Sequence, residues 1–338
     1  MLAWMGPMQA QELAYAKWSI AQRCVEGAGV TEAVVAREYA AGAIVRTHLL
    51  RPTWHFVAAE DLRWLLRLSA PRVHALNAYQ ARKLEIDAKT LSRSIDIIAR
   101  SLEGGVYCTR DVLAEALARG GVVAAGDRLA YVMMHAELEA LVCSGPMEGK
   151  QHTYALVDER VPGARRELSA DEALTALTER YFRTRGPATA KDYATWASLT
   201  LGDARRGSAS VGGLQAVELG GRTHFAFEGA LSEDAKGAPD LHLVQGYDEI
   251  IMSYSESKDV LFAGAPRAPV LTKGPAAFMH AILARGRVIG HWRHTLTKKR
   301  VHVETKPYRP FTRKEQRGLE AEVARYAAYW GMPAELGA

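Results

Sequence analysis

The amino-acid sequence predicts a mainly helical α+β fold, and three observations lead to that prediction. Helical apolar spacing alternates with short strand patterns along most of the 338 residues. The order helix, turn, helix and two-stranded ribbon recurs three times, and VTEAVVAREY, CTRDVLAEAL and ATAKDYATWA all have Thr as their second residue. This order is that of a winged helix, so we predict tandem winged-helix domains followed by a C-terminal β-hairpin-containing segment.

The first module is predicted at residues 1–85. LAYAKWSIAQRC has the apolar spacing of a helix, and a second helix is predicted from Thr31, as its N-cap, to Gly42. Two β-rich runs within AIVRTHLLRPTWHFV then flank Arg51-Pro52. These features predict two helices followed by a strand pair.

The second and third modules are predicted at residues 86–165 and 166–237. In the second module, LSRSIDIIARSLEGG, YCTRDVLAEALARGG and AGDRLAYVMMHAELEALVC have helical patterns, with Thr109 as a cap, and QHTYALVDER resembles a wing strand. In the third, SADEALTALTERYFRTRG and PATAKDYATWASLTLGDARRG precede LQAVELGGRTHFAFEG, which has the pattern of a hairpin turning at Gly220-Gly221.

The remaining segment, residues 238–338, is predicted to be rich in strands. LHLVQGYDEIIMSY is strand-like, and APRAPVLTKGPAA is predicted to be a loop. HAILARGRVIGHWRH and KRVHVETKPY are predicted to be antiparallel strands around a basic turn. The final amphipathic helix begins at Thr312, and Glu315 completes a capping box.

Positive charge is concentrated near the C-terminal end. The net charge is +5, but residues 281–317 contain eleven Lys and Arg against two acids, so the remainder is slightly acidic. Such a patch is typical of a face that binds nucleic acid, and a solvated face without a partner is the alternative. We predict that the hairpin binds double-stranded DNA through His291, Arg293, Lys298, Lys299 and Arg300.

The sequence lacks the motifs that are typical of several other classes of protein. No apolar run is long enough to cross a membrane, no secretory signal precedes the first helix, and the three cysteines form no CxxC pair. The histidines form no HExxH, and the glycines fit neither a GxGxxG nor a P-loop pattern. The sequence therefore predicts no metal, no cofactor and no membrane partner, and we expect a cytoplasmic, nucleoid-associated monomer.

Two glutamines, Gln9 and Gln11, lie among apolar residues just before the first long helix. A buried primary amide without partners costs roughly 1–3 kcal/mol, so either the fold or a ligand should satisfy these side chains. They share a face only where the backbone is extended or enters a helix, because residues two apart diverge by about 200° within a helix. Asp248 and Glu249 follow a predicted strand and either orient another group or serve as a cap or surface ion pair.

MQAQ, LLRPTWHFVAAEDLRWLL, YDEIIMSY and VIGHWR together resemble the winged-helix DNA glycosylases of the AlkZ and YcaQ type, bacterial proteins built from tandem modules. The resemblance covers nearly the whole chain. The Gln-x-Gln or Gln-x-Asp catalytic element of that family matches Gln9-Ala10-Gln11, the AlkZ-like form. Its Thr-x-His stretch, expected near DNA, matches Thr53, Trp54 and His55, and its DNA-proximal hairpin matches residues 287–303.

The resemblance also implies a pocket, and this chain differs from the family pattern in one respect. Trp54, Tyr247 and Asp248 are expected to line the pocket beside the glutamines. Family members usually carry another helix before the glutamine motif, whereas eight residues precede Gln9 here, so the first module is expected to be short at its amino terminus.

The resemblance implies a monofunctional DNA glycosylase that excises cationic alkylated bases such as N7-alkylguanine, with crosslinked bases as a further substrate. A base alkylated at N7 leaves as a neutral group and needs no general acid, so an amide that positions a water molecule is sufficient for its removal. Two alternatives stay open: a non-catalytic winged-helix DNA-binding protein such as a transcriptional regulator, in which the glutamines are structural, and a module that binds other proteins.

Overall fold

The computed structural model describes residues 1–25, 27–163, 167–230, 240–265 and 279–337. The protein is α+β, as predicted, and about half of it is helical. Apart from its first residue, the predicted loop APRAPVLTKGPAA lies outside the described residues. The helices are α1 (Leu2–Met5), α2 (Leu13–Gln22), α3 (Glu32–Ala41), α4 (Leu62–Lys83), α5 (Ala88–Leu102), α6 (Arg110–Arg119), α7 (Gly126–Leu138), α8 (Val157–Arg160), α9 (Ala170–Arg185), α10 (Ala190–Ala197), α11 (Leu201–Ser210), α12 (Glu249–Met252), α13 (Lys258–Leu261) and α14 (Arg313–Trp330).

The described strands form four separate sheets. Their orders are β1-β3-β2, β4-β6-β5, β7-β8 and β13-β12-β11-β10-β9. Neighbouring strands run antiparallel except β12 and β13, which run parallel. The strands are β1 (Met8–Gln9), β2 (Ile44–Leu49), β3 (Thr53–Ala58), β4 (Cys108–Thr109), β5 (Val142–Ser144), β6 (Thr153–Leu156), β7 (Leu214–Leu219), β8 (Arg222–Phe227), β9 (Leu241–Val244), β10 (Ala281–Ala284), β11 (Arg287–Leu296), β12 (Val301–Pro307) and β13 (Ala334–Leu336).

Helices followed by an antiparallel strand pair recur in three successive segments. The segments are α2–α3 with β2–β3, α5–α7 with β5–β6, and α9–α11 with β7–β8. The recurring threonines, Thr31, Thr109 and Thr189, each cap a helix by accepting a hydrogen bond from the backbone N–H three residues later. The repeated Thr in the sequence therefore marks a repeated helix start.

The C-terminal segment departs from the prediction at two places. LHLVQGYDEIIMSY, predicted to be strand-like, is strand β9 followed by the short helix α12, because Asp248 caps the helix by accepting a hydrogen bond from the Ile250 N–H. HAILARGRVIGHWRH is two strands, β10 and β11, because Arg285 and Gly286 adopt φ values of 49° and 71°. Two successive left-handed residues make the tight reversal that joins antiparallel strands. The basic hairpin is consequently β11–β12, which we call the basic ribbon, and its tip is Thr297–Arg300.

Two apolar cores join residues that are far apart in the sequence. One core packs Met8, Trp18 and Phe56 against residues of the C-terminal segment such as Leu243 and Tyr326. The other contains much of α4, which the sequence did not predict, together with parts of α7, α9 and α10. The N-terminal glutamine segment is thereby enclosed by elements from both ends of the chain. Among the described helices, none combines the length and apolar composition that crossing a bilayer requires.

Candidate active site

Gln9 lies on a short strand ahead of the first long helix. It is 2% exposed and pairs with His55 of β3, and α2 begins only at Leu13. Ala10 continues the pairing through its N–H, which donates to the Trp54 carbonyl at 2.7 Å. The backbone is therefore extended as far as Ala10, and Gln11 follows at a bend before α2 begins.

The Gln9 amide is fixed by buried charged groups. Its Oε1 accepts a hydrogen bond from Arg51 Nη2 at 2.8 Å, and its backbone N–H donates to Glu249 Oε1 at 2.8 Å. An arginine only donates, so the Gln9 atom that faces it must be the carbonyl oxygen. Arg51 therefore determines which way the Gln9 amide points.

The Gln11 amide is held by the neighbouring strand. Its Oε1 accepts from the Trp54 backbone N–H at 3.2 Å, and the Arg46 guanidinium lies 4.2 Å from the centre of the Trp54 ring. Neither Gln9 Nε2 nor Gln11 Nε2 donates a hydrogen bond to any residue that the structure describes. Each carbonyl oxygen thus keeps one lone pair for a ligand, and each NH₂ group offers two donors.

Glu249 anchors this region from the start of α12. Its Oε2 accepts hydrogen bonds from Arg185 Nη2 at 2.8 Å, from Trp196 Nε1 at 2.9 Å and from Ser253 Oγ at 3.2 Å. Burial favours the neutral acid, but Arg185 and Arg51 outweigh it and lower the pKa of Glu249 to about 2. This carboxylate is a charged structural anchor and a poor general base.

Arg185 connects the anchor to the backbone before Gln9. Its guanidinium donates to the carbonyls of Met5 at 2.7 Å and Pro7 at 3.1 Å, and it lies 4.6 Å from the Trp196 ring. Arg51 donates to the Trp196 carbonyl at 2.6 Å. The two arginines and Glu249, which we call the buried network, therefore contain one excess positive charge.

His55 is neutral and packed behind Gln9. Its Nδ1–H donates to the Thr53 carbonyl at 2.9 Å, so its Nε2 accepts from Arg51 Nη2 at 3.4 Å. Burial, and then the charge of Arg51, lower the pKa of His55 to about 3. Thr53, which was also expected near DNA, is half-buried, and its Oγ1 is buried. We assign His55 to the support of Gln9 and Arg51 in place of the expected DNA contact.

The two predicted pocket residues of the YDE stretch lie in different environments. Asp248 is fully buried, caps α12 through the N–H of Ile250, and accepts hydrogen bonds from Arg23 at 3.0 Å and Ser19 at 2.8 Å. Its oxygens are therefore committed to α2 and α12, and we assign it a structural role. Tyr247 is half-buried, and burial raises the pKa of its hydroxyl.

The base of the basic ribbon packs on α2, directly after the glutamines. The Tyr15 ring is stacked between His280, at 3.7 Å, and His294, at 4.2 Å, and its hydroxyl accepts from the His294 N–H at 3.1 Å. His280 Nε2 also lies 3.5 Å from the Glu12 carboxylate. These contacts bring the ribbon beside the glutamine segment.

His291 belongs to the packed base of the ribbon and not to its surface. It is 7% exposed, its Nδ1 lies 3.2 Å from the His280 carbonyl, and its Nε2 lies 2.7 Å from the Tyr308 hydroxyl. Both ring nitrogens are therefore used within the protein. We assign His291 a packing role in place of the expected DNA contact.

The four cations predicted to contact phosphate fall into two pairs. Arg293 is paired with Glu304, and Arg300 with Glu335 at 3.0 Å, all on the surface. Lys298 and Lys299 are exposed and form no ion pair with the described residues. Exposed ion pairs contribute only about 0.2–1 kcal/mol, so phosphate can displace them at little cost.

A model of the family described as DNA glycosylase AlkZ-like matches residues 2–329 of this chain. The chain belongs to the AlkZ-like DNA glycosylase family. It is similar in structure to the Streptomyces sahachiroi DNA glycosylase AlkZ, with a TM-score of 0.78 and 22% identity over 99% of this chain and 92% of that chain. At this identity the similarity shows a shared fold. A search of curated proteins finds no match.

Family membership supports a DNA glycosylase that binds DNA, and confirms the resemblance seen in the sequence. The sequence reasoning missed two members of the buried network in this AlkZ-like chain, Arg51 and Arg185, and their neighbour Trp196. Arg51 precedes a proline between two strands, and Arg185 ends a helix; neither pattern distinguishes a site residue from a surface cation. Glu249 carried a signal, because the sequence marked it as a group that orients another.

Proposed function

We propose that this protein is a monofunctional DNA glycosylase that removes cationic alkylated bases, such as N7-alkylguanine, by water attack on the N-glycosidic bond. We include the linked bases of interstrand crosslinks in that substrate class. The observation that carries the proposal is the Gln9-Gln11 pair. The buried network holds Gln9, strand β3 holds Gln11, and neither NH₂ group has a partner among the described residues.

The chemistry of the site suits a leaving group that needs no acid. A base alkylated at N7 carries a positive charge and departs neutral when the bond to the sugar breaks. Glu249 contacts Gln9, but its low pKa and its hydrogen bonds make it a poor proton acceptor or donor. The remaining carbonyl lone pairs of Gln9 and Gln11 can orient a water molecule toward the cationic sugar, which is catalysis by position and electrostatics. The electron pair of the C1′–N9 bond leaves with the base, the water oxygen bonds to C1′, and the proton that the water loses passes to solvent.

The charges of the site suit the DNA backbone. An enzyme that acts on a base within a duplex must extrude the nucleotide, which brings its flanking phosphates to the protein. The excess positive charge of the buried network favours those phosphates. We further propose that the three repeated segments are winged-helix modules, and that Lys298 and Lys299 hold more distant phosphates without reading the sequence.

One excision assay tests the proposal. The protein is incubated in excess with duplex DNA that contains a single N7-methylguanine, and abasic sites are measured by alkaline cleavage. The same duplex without damage and one with a neutral hypoxanthine serve as controls. We expect excision of N7-methylguanine alone.

Other outcomes of the excision assay would contradict separate parts of the proposal. Equal release of hypoxanthine would contradict the cationic substrate class, and strand cleavage without alkali would contradict a monofunctional enzyme. Tight DNA binding without excision of any base would favour the non-catalytic DNA-binding alternative. A duplex with an N7-linked interstrand crosslink, assayed in the same way, tests the crosslink part separately.

A further inference from the structure

Three side chains that the glycosylase site does not use meet between α4 and α7. His74 lies on α4, His135 lies on α7, and Glu139 is the C-cap residue that follows α7. His74 Nε2 is 2.8 Å from Glu139 Oε1, and the centres of the two histidine rings are 5.0 Å apart. One potential ligand atom from each of the three lies within 4.8 Å of the others.

The helices that carry this triad are held by a packed core. Val73 of α4 and Met134 and Leu138 of α7 are buried in the same apolar cluster. Asn77 of α4 donates from Nδ2 to Met134 Sδ at 3.0 Å. His135 and Glu139 are one helical turn apart and project on the same side of α7, toward His74. The spacing of the triad is therefore set by rigid elements and not by a loop.

We propose that His74, His135 and Glu139 bind a zinc ion that crosslinks α4 to α7. Two imidazole nitrogens and one carboxylate oxygen are a donor set that Zn²⁺ accepts, with water in the fourth tetrahedral position. Ligand atoms about 2.0–2.1 Å from a tetrahedral ion lie roughly 3.4 Å from each other, so small side-chain rotations close the triad.

The surroundings permit these rotations and the water ligand. The side chains of His74 and Glu139 are 31% and 52% exposed, so neither is locked by packing. A cavity of about 280 Å³ adjoins the two histidines; Asn77 and Tyr131 also line it, and the rest of its wall is apolar. The open coordination position therefore has room for a water ligand.

The position of the triad indicates a structural role. Glu137, two residues from His135, accepts a hydrogen bond from the His48 backbone N–H of β2 at 2.7 Å. Strand β2 pairs with β3, which carries His55 behind Gln9. An ion between α4 and α7 would therefore connect α4, the helix that follows the first repeated segment, to the second repeated segment without touching the proposed reaction.

Metal binding by the tag-free, full-length protein tests the proposal. After chelator treatment, the protein is titrated with Zn²⁺ by calorimetry, and bound metal is measured after dialysis. We expect one ion per chain, with binding at least about tenfold weaker in each of the variants His74→Ala, His135→Ala and Glu139→Gln. His302→Ala is the matched control, because His302 also lies 3.3 Å from a glutamate, Glu335, but forms no such triad with the residues that the structure describes.

Two further readouts separate ligation from folding. Co²⁺ in place of Zn²⁺ should give visible tetrahedral absorption in the wild type and in His302→Ala, and lose it in the three triad variants. Zn²⁺ should raise the melting temperature of the wild type only through the triad, so the metal-dependent rise should vanish in Glu139→Gln, whose exposed carboxylate is not needed for folding.

Three results would overturn the zinc site. They are a wild type that binds no Zn²⁺ or Co²⁺, triad variants that bind as the wild type does, and a loss of binding in His302→Ala. If a histidine variant fails to fold without metal, Glu139→Gln decides between the outcomes. Excision of N7-methylguanine does not depend on this test, so the two proposals fail independently.

Discussion

The glutamine site and the tip of the basic ribbon use charge in opposite ways. Glu249 and Arg185 are almost completely buried and hydrogen-bonded to fixed partners, whereas Lys298 and Lys299 extend into solvent. Buried charges lose their hydration, and only accurately placed partners repay that loss. Exposed charges lose little and are screened by salt.

The geometry of the site and its affinity for DNA therefore have separate sources in this protein. The buried network orients Gln9, and the ribbon tip supplies attraction to the DNA backbone without orienting anything. Substitutions in the two regions should therefore change different measured quantities. Four predictions test that separation.

The largest effect is expected on removing the charge of Glu249. The variant Glu249→Gln leaves Arg185 buried without its counter-ion, which should reduce the free energy of unfolding by about 3–5 kcal/mol. Lys298→Gln, the exposed control, should change it by less than about 0.5 kcal/mol. Urea denaturation of both variants measures this difference, and equal stabilities would contradict the structural role of the network.

The next effect concerns the rate of excision. Gln9→Ala and Gln11→Ala should each raise the barrier by about 2–4 kcal/mol, by analogy with removing one oriented donor, while DNA affinity stays nearly unchanged. Gln215→Ala, an exposed glutamine on β7, is the matched control. Single-turnover excision and thermal melting are measured on the same samples.

The competing explanation is that the glutamines only support the first helix. It predicts a lower melting temperature, with activity falling only in proportion to the folded fraction. Full activity in both variants would rule out a catalytic role for the pair.

A smaller effect should appear in the pH dependence of stability. The pKa of His55 is about 3 in the folded protein, below its ordinary value near 6.5, so the unfolded chain binds more protons between those values. Its contribution to stability is therefore complete above about pH 6.5 and is lost as the pH falls toward 3, by about 2 kcal/mol between pH 7 and 5.

His55→Asn should reduce that pH dependence. The exposed control His302→Asn should leave it unchanged, because His302 is 38% exposed. Chemical denaturation at both pH values gives the slopes. If the free energy of unfolding of His55→Asn depends on pH as strongly as that of the wild type, protonation of His55 does not oppose folding.

Substitutions at the ribbon tip should have the smallest effect on stability. Their effect on DNA binding should be purely electrostatic. Replacing Lys298 and Lys299 together by Ala should lower the slope of log affinity against log salt by about two units, one per lost phosphate contact. Excision at saturating protein should not change. Affinity measured across a salt series tests this, and an unaltered slope would remove both lysines from the DNA interface.

The repeated local order could be predicted from the sequence because it depends on neighbouring residues. Thr31, Thr109 and Thr189 cap helices through hydrogen bonds that span three residues, and Gly220-Gly221 turns a hairpin with its own backbone freedom. The glutamine motif was recognised through its likeness to the family motif, and the sequence left open whether its backbone is extended or enters a helix. The split of one predicted strand at Arg285-Gly286 was missed, since a single arginine with positive φ leaves little trace in composition.

What the sequence could not decide is which distant groups meet. Arg51, Arg185 and Glu249 converge on Gln9 from β2–β3, α9 and α12, and His74 meets His135 and Glu139 across two helices. Each of these side chains has a common alternative as a surface charge, and burial selects between the two. The sequence by itself determined most of the helices and hairpins, though not α4, because these depend on local hydrogen bonding and apolar spacing. It identified the glutamine pair through its likeness to a family motif. The tertiary structure alone decided the orientation of that pair and the charges behind it, because desolvation and Coulomb interactions depend on distance in space.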